Sequence, residues 1–193
     1  VEMPEDSYLE IDEPSDWIAI EQALKKRLEK TGDAELPWDR IRMFLTDCDG
    51  CLTDGGMYYS ENGDELKKFN TKDGMGLRLL REHGILTGII TAETRELNRR
   101  RAEKLKLDEY QEGVQDKASS IRALCEKHGI DPAEVAYLGD DLGDLEAVRM
   151  AGIGCCVADG VAAVRESADY ITIARGGAGA VRELADRILA GRL

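Results

Sequence analysis

Positive charge is what this sequence lacks most. Lys and Arg number 26 against 39 Asp and Glu, a net charge of −13. That deficit argues against nonspecific binding to nucleic acid or to an anionic membrane surface. It also gives no long-range attraction for an anionic substrate, so phosphate chemistry here must rest on a local cation and local donors. No apolar run approaches membrane-spanning length. No secretory signal pattern opens the chain, whose first residues are acidic. Histidine is nearly absent, with only His83 and His128, and no second Cys-x-x-Cys accompanies Cys48 and Cys51. A cysteine-based zinc or redox centre is therefore disfavoured. The 5 cysteines, an odd number without a signal pattern, point to reduced thiols in a cytoplasmic protein. There is no internal repeat and no low-complexity run.

What is present suits one ordinary α/β domain. The chain has 193 residues, 42% hydrophobic and 34% charged, enough for a substantial core. It opens on Val1, which reads as the start of a processed product or of a fragment. Residues 1–37 differ from the rest: a short strand over 7–12, a helix over 17–30 capped by Ser15 or Asp16, and too little apolar surface for a core of its own. From Arg40 onward strands and helices alternate. Strands are expected over 41–45, 85–91, 135–138, 153–157 and 170–173. Helices are expected over 74–83, 95–105, 116–128, 144–151 and 178–189. Asn62-Gly63 marks a hairpin between 57–60 and 65–69. The alternation predicts a mostly parallel sheet covered on both faces.

Four features fall at strand ends or helix starts. Asp47-x-Asp49 closes the apolar run that enters at Phe44. Thr91 ends the run 86–90. Lys117 opens a helix. Gly139-Asp140-Asp141-Leu142-Gly143-Asp144 follows the run 135–138. Strand ends of a parallel sheet share one edge, where open α/β sheets place their ligand crevice. The chemistry is mutually consistent. Asp47 and Asp140 suit magnesium, which prefers hard oxygen ligands. Lys117 supplies a fixed positive charge, and Thr91 a hydroxyl donor. Asp49 stands near enough to protonate a leaving alkoxide and then activate water. Simpler readings stand beside each: a turn at Asp-x-Asp-Gly, a helix cap in the acidic run, a solvated Lys117.

The order Asp-x-Asp, Thr, Lys, Gly-Asp-Asp-x-x-Asp resembles the haloacid-dehalogenase superfamily of aspartyl phosphotransferases, over residues 40–193. The resemblance implies a Rossmann-like three-layer sandwich and a phosphoric monoester hydrolase. Asp47 would be the nucleophile and Asp49 the general acid/base. Thr91 and Lys117 would bind phosphate. Mg2+ would be held by Asp47, Asp140 and the backbone carbonyl of Asp49, with Asp144 in support. Only the hairpin and short helices separate the motifs, so the domain, 38–193, looks capless with a β-hairpin flap. It is most similar to phosphatases of 3-deoxy-octulosonate 8-phosphate and of nine-carbon keto-deoxy sugar 9-phosphates. In those enzymes the hairpins build a homotetramer in which a neighbouring subunit closes each site. Segments 70–74 and 175–180 also resemble that group, the latter expected at an active-site mouth.

Thr91-Ala92-Glu93 bears on substrate length. The octulosonate enzymes usually carry Thr-Gly-Arg, and the nine-carbon type Thr-Gly-Glu followed by Arg and Lys at the places of Arg101 and Lys104. The expectation is thus a nonulosonate 9-phosphate of KDN or N-acylneuraminate type, with Glu93, Arg101 and Lys104 as specificity residues. Octulosonate 8-phosphate is the alternative. A solvated basic face paired with Glu96 and Glu103 is the simpler reading of that helix. Tyr8 to Trp17 resembles the end of a sialic-acid cytidylyltransferase, which makes 1–37 a possible tail of such a domain. A non-catalytic oligomerisation module of a bifunctional cytidylyltransferase is then a further alternative, disfavoured because the aspartates are intact.

Overall fold

The computed structural model describes residues 36–63 and 65–192. The chain divides into two units, Val1–Leu36 and Pro37–Leu193. The sheet and the site both belong to the second unit. The strand expected at 7–12 and the helix at 17–30 lie outside the described residues.

The central strand β1 is Met43–Thr46. The hairpin strands β2, Tyr58–Tyr59, and β3, Glu65–Leu66, pair antiparallel, with Tyr58 opposite Leu66. Helix α1, Thr71–Glu82, leads to β4, Leu86–Ile90. Helix α2, Glu96–Leu105, leads to β5, Glu109–Gln111. Helix α3, Lys117–His128, precedes β6, Val135–Gly139. Helix α4, Leu145–Met150, precedes β7, Ile153–Cys156. Helix α5, Ala162–Ser167, precedes β8, Tyr170–Ile171, and α6 is Ala180–Ala190. Six parallel strands form one sheet in the order β5-β4-β1-β6-β7-β8. Helices α1, α2 and α6 pack as one group, and α3, α4 and α5 as another. This is the α/β sandwich the alternation predicts, and among the described residues no cap domain stands between the motifs.

The strands hold because both faces are dry. Met43, Phe44 and Leu45 are fully buried, each worth about 1.5–3 kcal/mol of apolar transfer. That burial pins the register of β1, which pairs Thr46 with Ile89 and with Leu138, and so fixes where Asp47 emerges. Helix α1 starts three residues earlier than expected, because the Asn70 side chain accepts the Lys72 N–H at 2.8 Å and caps it. Gly76 lets α6 approach closely: a Cβ there would sit 3.0 Å from Arg182 Cα. Asp73, wholly buried on α1, accepts from Gly179 N–H at 3.3 Å and Arg182 N–H at 2.9 Å, so one carboxylate caps the first turn of α6.

Among the described residues, one strand and one α-helix went unread in the sequence. Strand β5 is an edge strand of charged and polar residues, with no apolar alternation to announce it. Helix α5 has six residues, too few for a helical period to show.

Candidate active site

The four sequence features do meet at one sheet edge. Asp47 leaves β1 directly, and its N–H extends the ladder to Leu138 C=O at 2.9 Å. Asp140 leaves β6, the neighbour of β1. Thr91 leaves β4 on the other side of β1, where the register brings it alongside the 47–49 loop. Lys117 is the first residue of α3, whose N-cap Asp116 accepts from Ser119 N–H at 2.9 Å. Its Nζ lies 2.9 Å from Asp47 Oδ1 and 2.6 Å from Asp144 Oδ1, and its side chain is only 5% exposed. A solvated lysine is thereby excluded.

The acidic run divides its labour. Asp141 caps the 3-10 turn Leu142–Asp144, accepting from Leu142 N–H at 2.7 Å. Asp144 is saturated: Oδ1 accepts from Lys117 Nζ and from Tyr137 Oη at 2.6 Å, and Oδ2 from the N–H groups of Asp140 and Asp141 at 3.1 and 3.2 Å. Asp140 makes no such cap. Its Oδ1 meets only the weak Cys51 S–H donor, at 3.5 Å. Gly50, at φ +91°, makes room for it, since a Cβ there would lie 2.0 Å from Asp140 Oδ2. The helix-cap reading thus holds for Asp141 and Asp144, and Asp140 is left facing Asp47.

Carboxylate oxygens of Asp47, Asp140 and Asp144 all lie within 4.8 Å of one another. Burial, then repulsion from Asp144, pushes the Asp47 carboxyl from 3.8 up to about 6 against the pull of Lys117. Burial, then repulsion from Asp47 and Asp144, pushes Asp140 up to about 7. Burial works against the Lys117 ammonium, yet Asp47 and Asp144 outweigh it and raise its pKa. Asp47 Oδ1 is buried and, although Lys117 is within ion-pair distance, receives no hydrogen bond of acceptable angle. Three crowded carboxylates facing one ammonium leave uncompensated negative charge. An all-oxygen donor set of that kind fits a hard divalent cation. Asp47 and Asp140 have the open oxygens to hold it, and Asp144 does not.

A second cluster borders the first. Lys67, just beyond β3, places Nζ 2.7 Å from Asp49 Oδ2 and 2.6 Å from Glu93 Oε2. The other oxygen of Asp49 accepts from Thr53 Oγ1 at 3.3 Å. Thr91 is 2% exposed, and its Oγ1 accepts from Glu93 N–H at 3.2 Å, which leaves its own proton for another acceptor. The hydrogen bond from Lys67 lowers the Glu93 carboxyl below its ordinary value. Lys67, Thr53 and Tyr137 are residues the sequence reading missed. Nothing in Glu65-Leu66-Lys67-Lys68-Phe69 separates buried Lys67 from Lys68, which is exposed and paired with Asp54.

Arg101 and Lys104 belong to α2. Arg101 donates to Asn70 C=O at 3.0 Å and stacks 5.1 Å above Phe69. With Lys104 it lines a groove of about 550 Å³ between α1 and α2, together with Arg78 and Arg81. The 175–180 segment packs on its own chain: Gly177 N–H donates to Cys51 C=O at 2.9 Å, and Asn70 Nδ2 to Gly177 C=O at 3.2 Å. All five cysteines are free and buried. Burial, then Asp49 and Asp47, raises the Cys48 thiol well above its ordinary range, so Cys48 and Cys51 supply no thiolate.

Known proteins are similar to this chain in sequence and fold. A family model described as haloacid dehalogenase-like hydrolase matches residues 101–183. The 3-deoxy-D-manno-octulosonate 8-phosphate phosphatase of Escherichia coli strain K12 is 39% identical over 151 residues, 78% of this chain and 80% of that protein. The chain belongs to the haloacid dehalogenase-like hydrolases. It is a phosphoric monoester hydrolase of that family. A Moraxella catarrhalis 3-deoxy-D-manno-octulosonate 8-phosphate phosphatase, solved with magnesium, phosphate and KDO, superposes with a TM-score of 0.79 at 41% identity, over 81% of this chain and 90% of that one. The cobalt-bound enzyme of the same name from Haemophilus influenzae superposes with a TM-score of 0.78 at 32% identity, over 81% and 91%. These relatives lend no support to the cytidylyltransferase resemblance of Tyr8 to Trp17, which also lies outside the described residues.

Proposed function

We propose that this chain is a magnesium-dependent phosphatase of a 2-keto-3-deoxy sugar acid phosphate, with 3-deoxy-D-manno-octulosonate 8-phosphate as its substrate. The observation that carries the reading is the 39% identity spanning 80% of an octulosonate phosphatase. It is supported by a buried Asp47–Lys117–Asp144 cluster of the kind phosphoryl transfer needs. Residues 38–193 are the phosphatase domain, and 1–37 an appendage.

In this reading an Asp47 carboxylate oxygen attacks phosphorus and the ester P–O bond breaks. The Asp49 carboxyl gives its proton to the departing sugar oxygen. Asp49 then takes a proton from water as that water attacks the aspartyl-phosphate, which frees phosphate and restores Asp47. Lys117 and the Thr91 hydroxyl hold phosphoryl oxygens, and Asp144 fixes Lys117 in place. Magnesium would be held by Asp47, Asp140 and the Asp49 backbone carbonyl. Bound there, it offsets the charge of a phosphoryl group that Asp47 would otherwise repel.

A second reading keeps the mechanism and changes the sugar. Glu93 follows Thr91 as in nine-carbon phosphatases, and Lys67 anchors it beside Asp49. Against it, Arg101 is committed to Asn70 and Phe69 within its own chain. The hairpin exposes Met57, Tyr58, Tyr59 and Leu66 at 39%, 56%, 67% and 62%. That apolar surface supports a homotetramer in which a neighbour closes the site. Five buried free thiols suit a cytoplasmic enzyme.

The test is phosphate release with magnesium from octulosonate 8-phosphate and a nonulosonate 9-phosphate. A kcat/KM preference for the eight-carbon substrate is expected. A nine-carbon preference would transfer specificity to Glu93, Arg101 and Lys104. Turnover of neither would leave an oligomerisation module as the better account.

A further inference from the structure

Lys67 has no role in the mechanism above, yet it is the most enclosed cation of the hairpin. Its side chain is 1% exposed, whereas that of its neighbour Lys68 is 62% exposed. Burying a lysine costs rotamer freedom and hydration, which only good partners offset. Among its partners are Asp49 Oδ2 at 2.7 Å and Glu93 Oε2 at 2.6 Å. Thr53 holds the opposite oxygen of Asp49, at 3.3 Å. The Thr53 hydroxyl is itself oriented, because its oxygen accepts from the N–H groups of Gly50 at 3.4 Å and Gly55 at 3.2 Å. The Asp49 carboxylate is therefore gripped at both ends, from the hairpin and from its own loop. Glu93 is the second carboxylate that anchors the ammonium.

Resting on the reading of Asp49 as the group that protonates the leaving sugar oxygen, we propose that Lys67 is a positioning residue. It fixes the Asp49 carboxyl for proton transfer and ties that orientation to Glu93 at the end of β4. Lys67 keeps its own protons throughout; the proton delivered as the P–O bond breaks comes from Asp49. A positioned acid matters most where the leaving group is a poor one. A sugar alkoxide needs the proton, and a nitrophenolate scarcely does.

The experiment compares octulosonate 8-phosphate with p-nitrophenyl phosphate, using kcat/KM, which reports the steps up to leaving-group departure. Lys67→Met is expected to lose about 10²-fold on the sugar phosphate and less than about 5-fold on the aryl phosphate. Lys67→Arg, which keeps the charge and two donors, should recover part of the loss. Glu93→Gln, which weakens the anchor on Lys67, should show a smaller loss of the same leaving-group pattern. Asp49→Asn is run alongside. Equal losses of Lys67→Met on both substrates, or a loss carried by KM with kcat unchanged, would overturn the proposal. If Asp49→Asn discriminates between the leaving groups and Lys67→Met does not, Lys67 alone loses its role. If Asp49→Asn does not discriminate either, the acid assignment fails and the proposal falls with it.

Discussion

Lys117→Met removes the one ammonium seated among Asp47, Asp140 and Asp144 while nearly keeping its volume. At 2.6 and 2.9 Å from Asp144 and Asp47, each pair is worth roughly 6 kcal/mol of gross attraction at an effective dielectric of about 20. Desolvation offsets much of that, and removing one partner of a buried pair typically costs about 3–5 kcal/mol net. For a chain of this size the loss corresponds to a Tm drop of about 6–20 °C. The drop has a pH signature. The raised Lys117 pKa keeps the lysine charged in folded and unfolded chains alike through neutral pH, so the dependence comes from its partners. With Asp47 pushed up to about 6, that carboxyl is ionised at pH 8 and largely protonated at pH 5. The variant therefore loses most at pH 8 and clearly less at pH 5. Thermal unfolding in EDTA at both pH values measures this. A drop below about 3 °C at pH 8, or the same drop at pH 5, would refute the electrostatic account of the site.

Further expectations rest on the same geometry. Unfolded carboxyls titrate near 3.8, and Asp47 and Asp140 near 6 and 7 when folded. Between those limits the folded chain holds more protons, so metal-free stability falls as pH rises from about 4 to 7. Magnesium needs the ionised forms, so its stabilisation should grow over the same range in melts with and without the ion; a constant increment would contradict this. Gly50→Ala forces a Cβ to within 2.0 Å of Asp140 Oδ2 at φ +91°. It should keep the fold and lose about 10²-fold in kcat/KM, and unchanged kinetics would show that Asp140 is not confined. Asp47→Asn should abolish turnover and leave the circular dichroism spectrum intact, and residual turnover near wild type would remove Asp47 as nucleophile.

The sheet and the main site were legible because both rest on strongly patterned segments. The stretches 43–46, 87–90 and 135–139 are buried on both faces and end where polar residues begin, so their strands and the shared edge could be read directly. Boundaries moved by one to three residues where a cap decided them, as at Asn70. Strand β5 stayed hidden because an edge strand needs no apolar face. Side-chain commitments were the other blind spot. Lys67 and Lys68 are chemically identical in sequence, and only the hairpin's placement buries one of them. Arg101 was read for its charge alone, and the sequence gives no sign that its guanidinium also donates to Asn70 C=O at the start of α1. Asp140, Asp141 and Asp144 form one acidic run, and only the backbone N–H directions reveal which carboxylate remains open.

In the proposed mechanism Asp47 carries the phosphoryl group. On that mechanism Asp49→Asn lacks the base that frees the aspartyl-phosphate, so an activated donor such as p-nitrophenyl phosphate should trap it. The direct measurement is intact-protein and peptide mass after acid quench of that variant with magnesium and the donor. One added phosphoryl group, mapped to the peptide containing Asp47 and absent in Asp47→Asn, is the predicted result. Nitrophenol released in step with free phosphate, with no phosphoryl group on the protein at any quench time, would contradict the account.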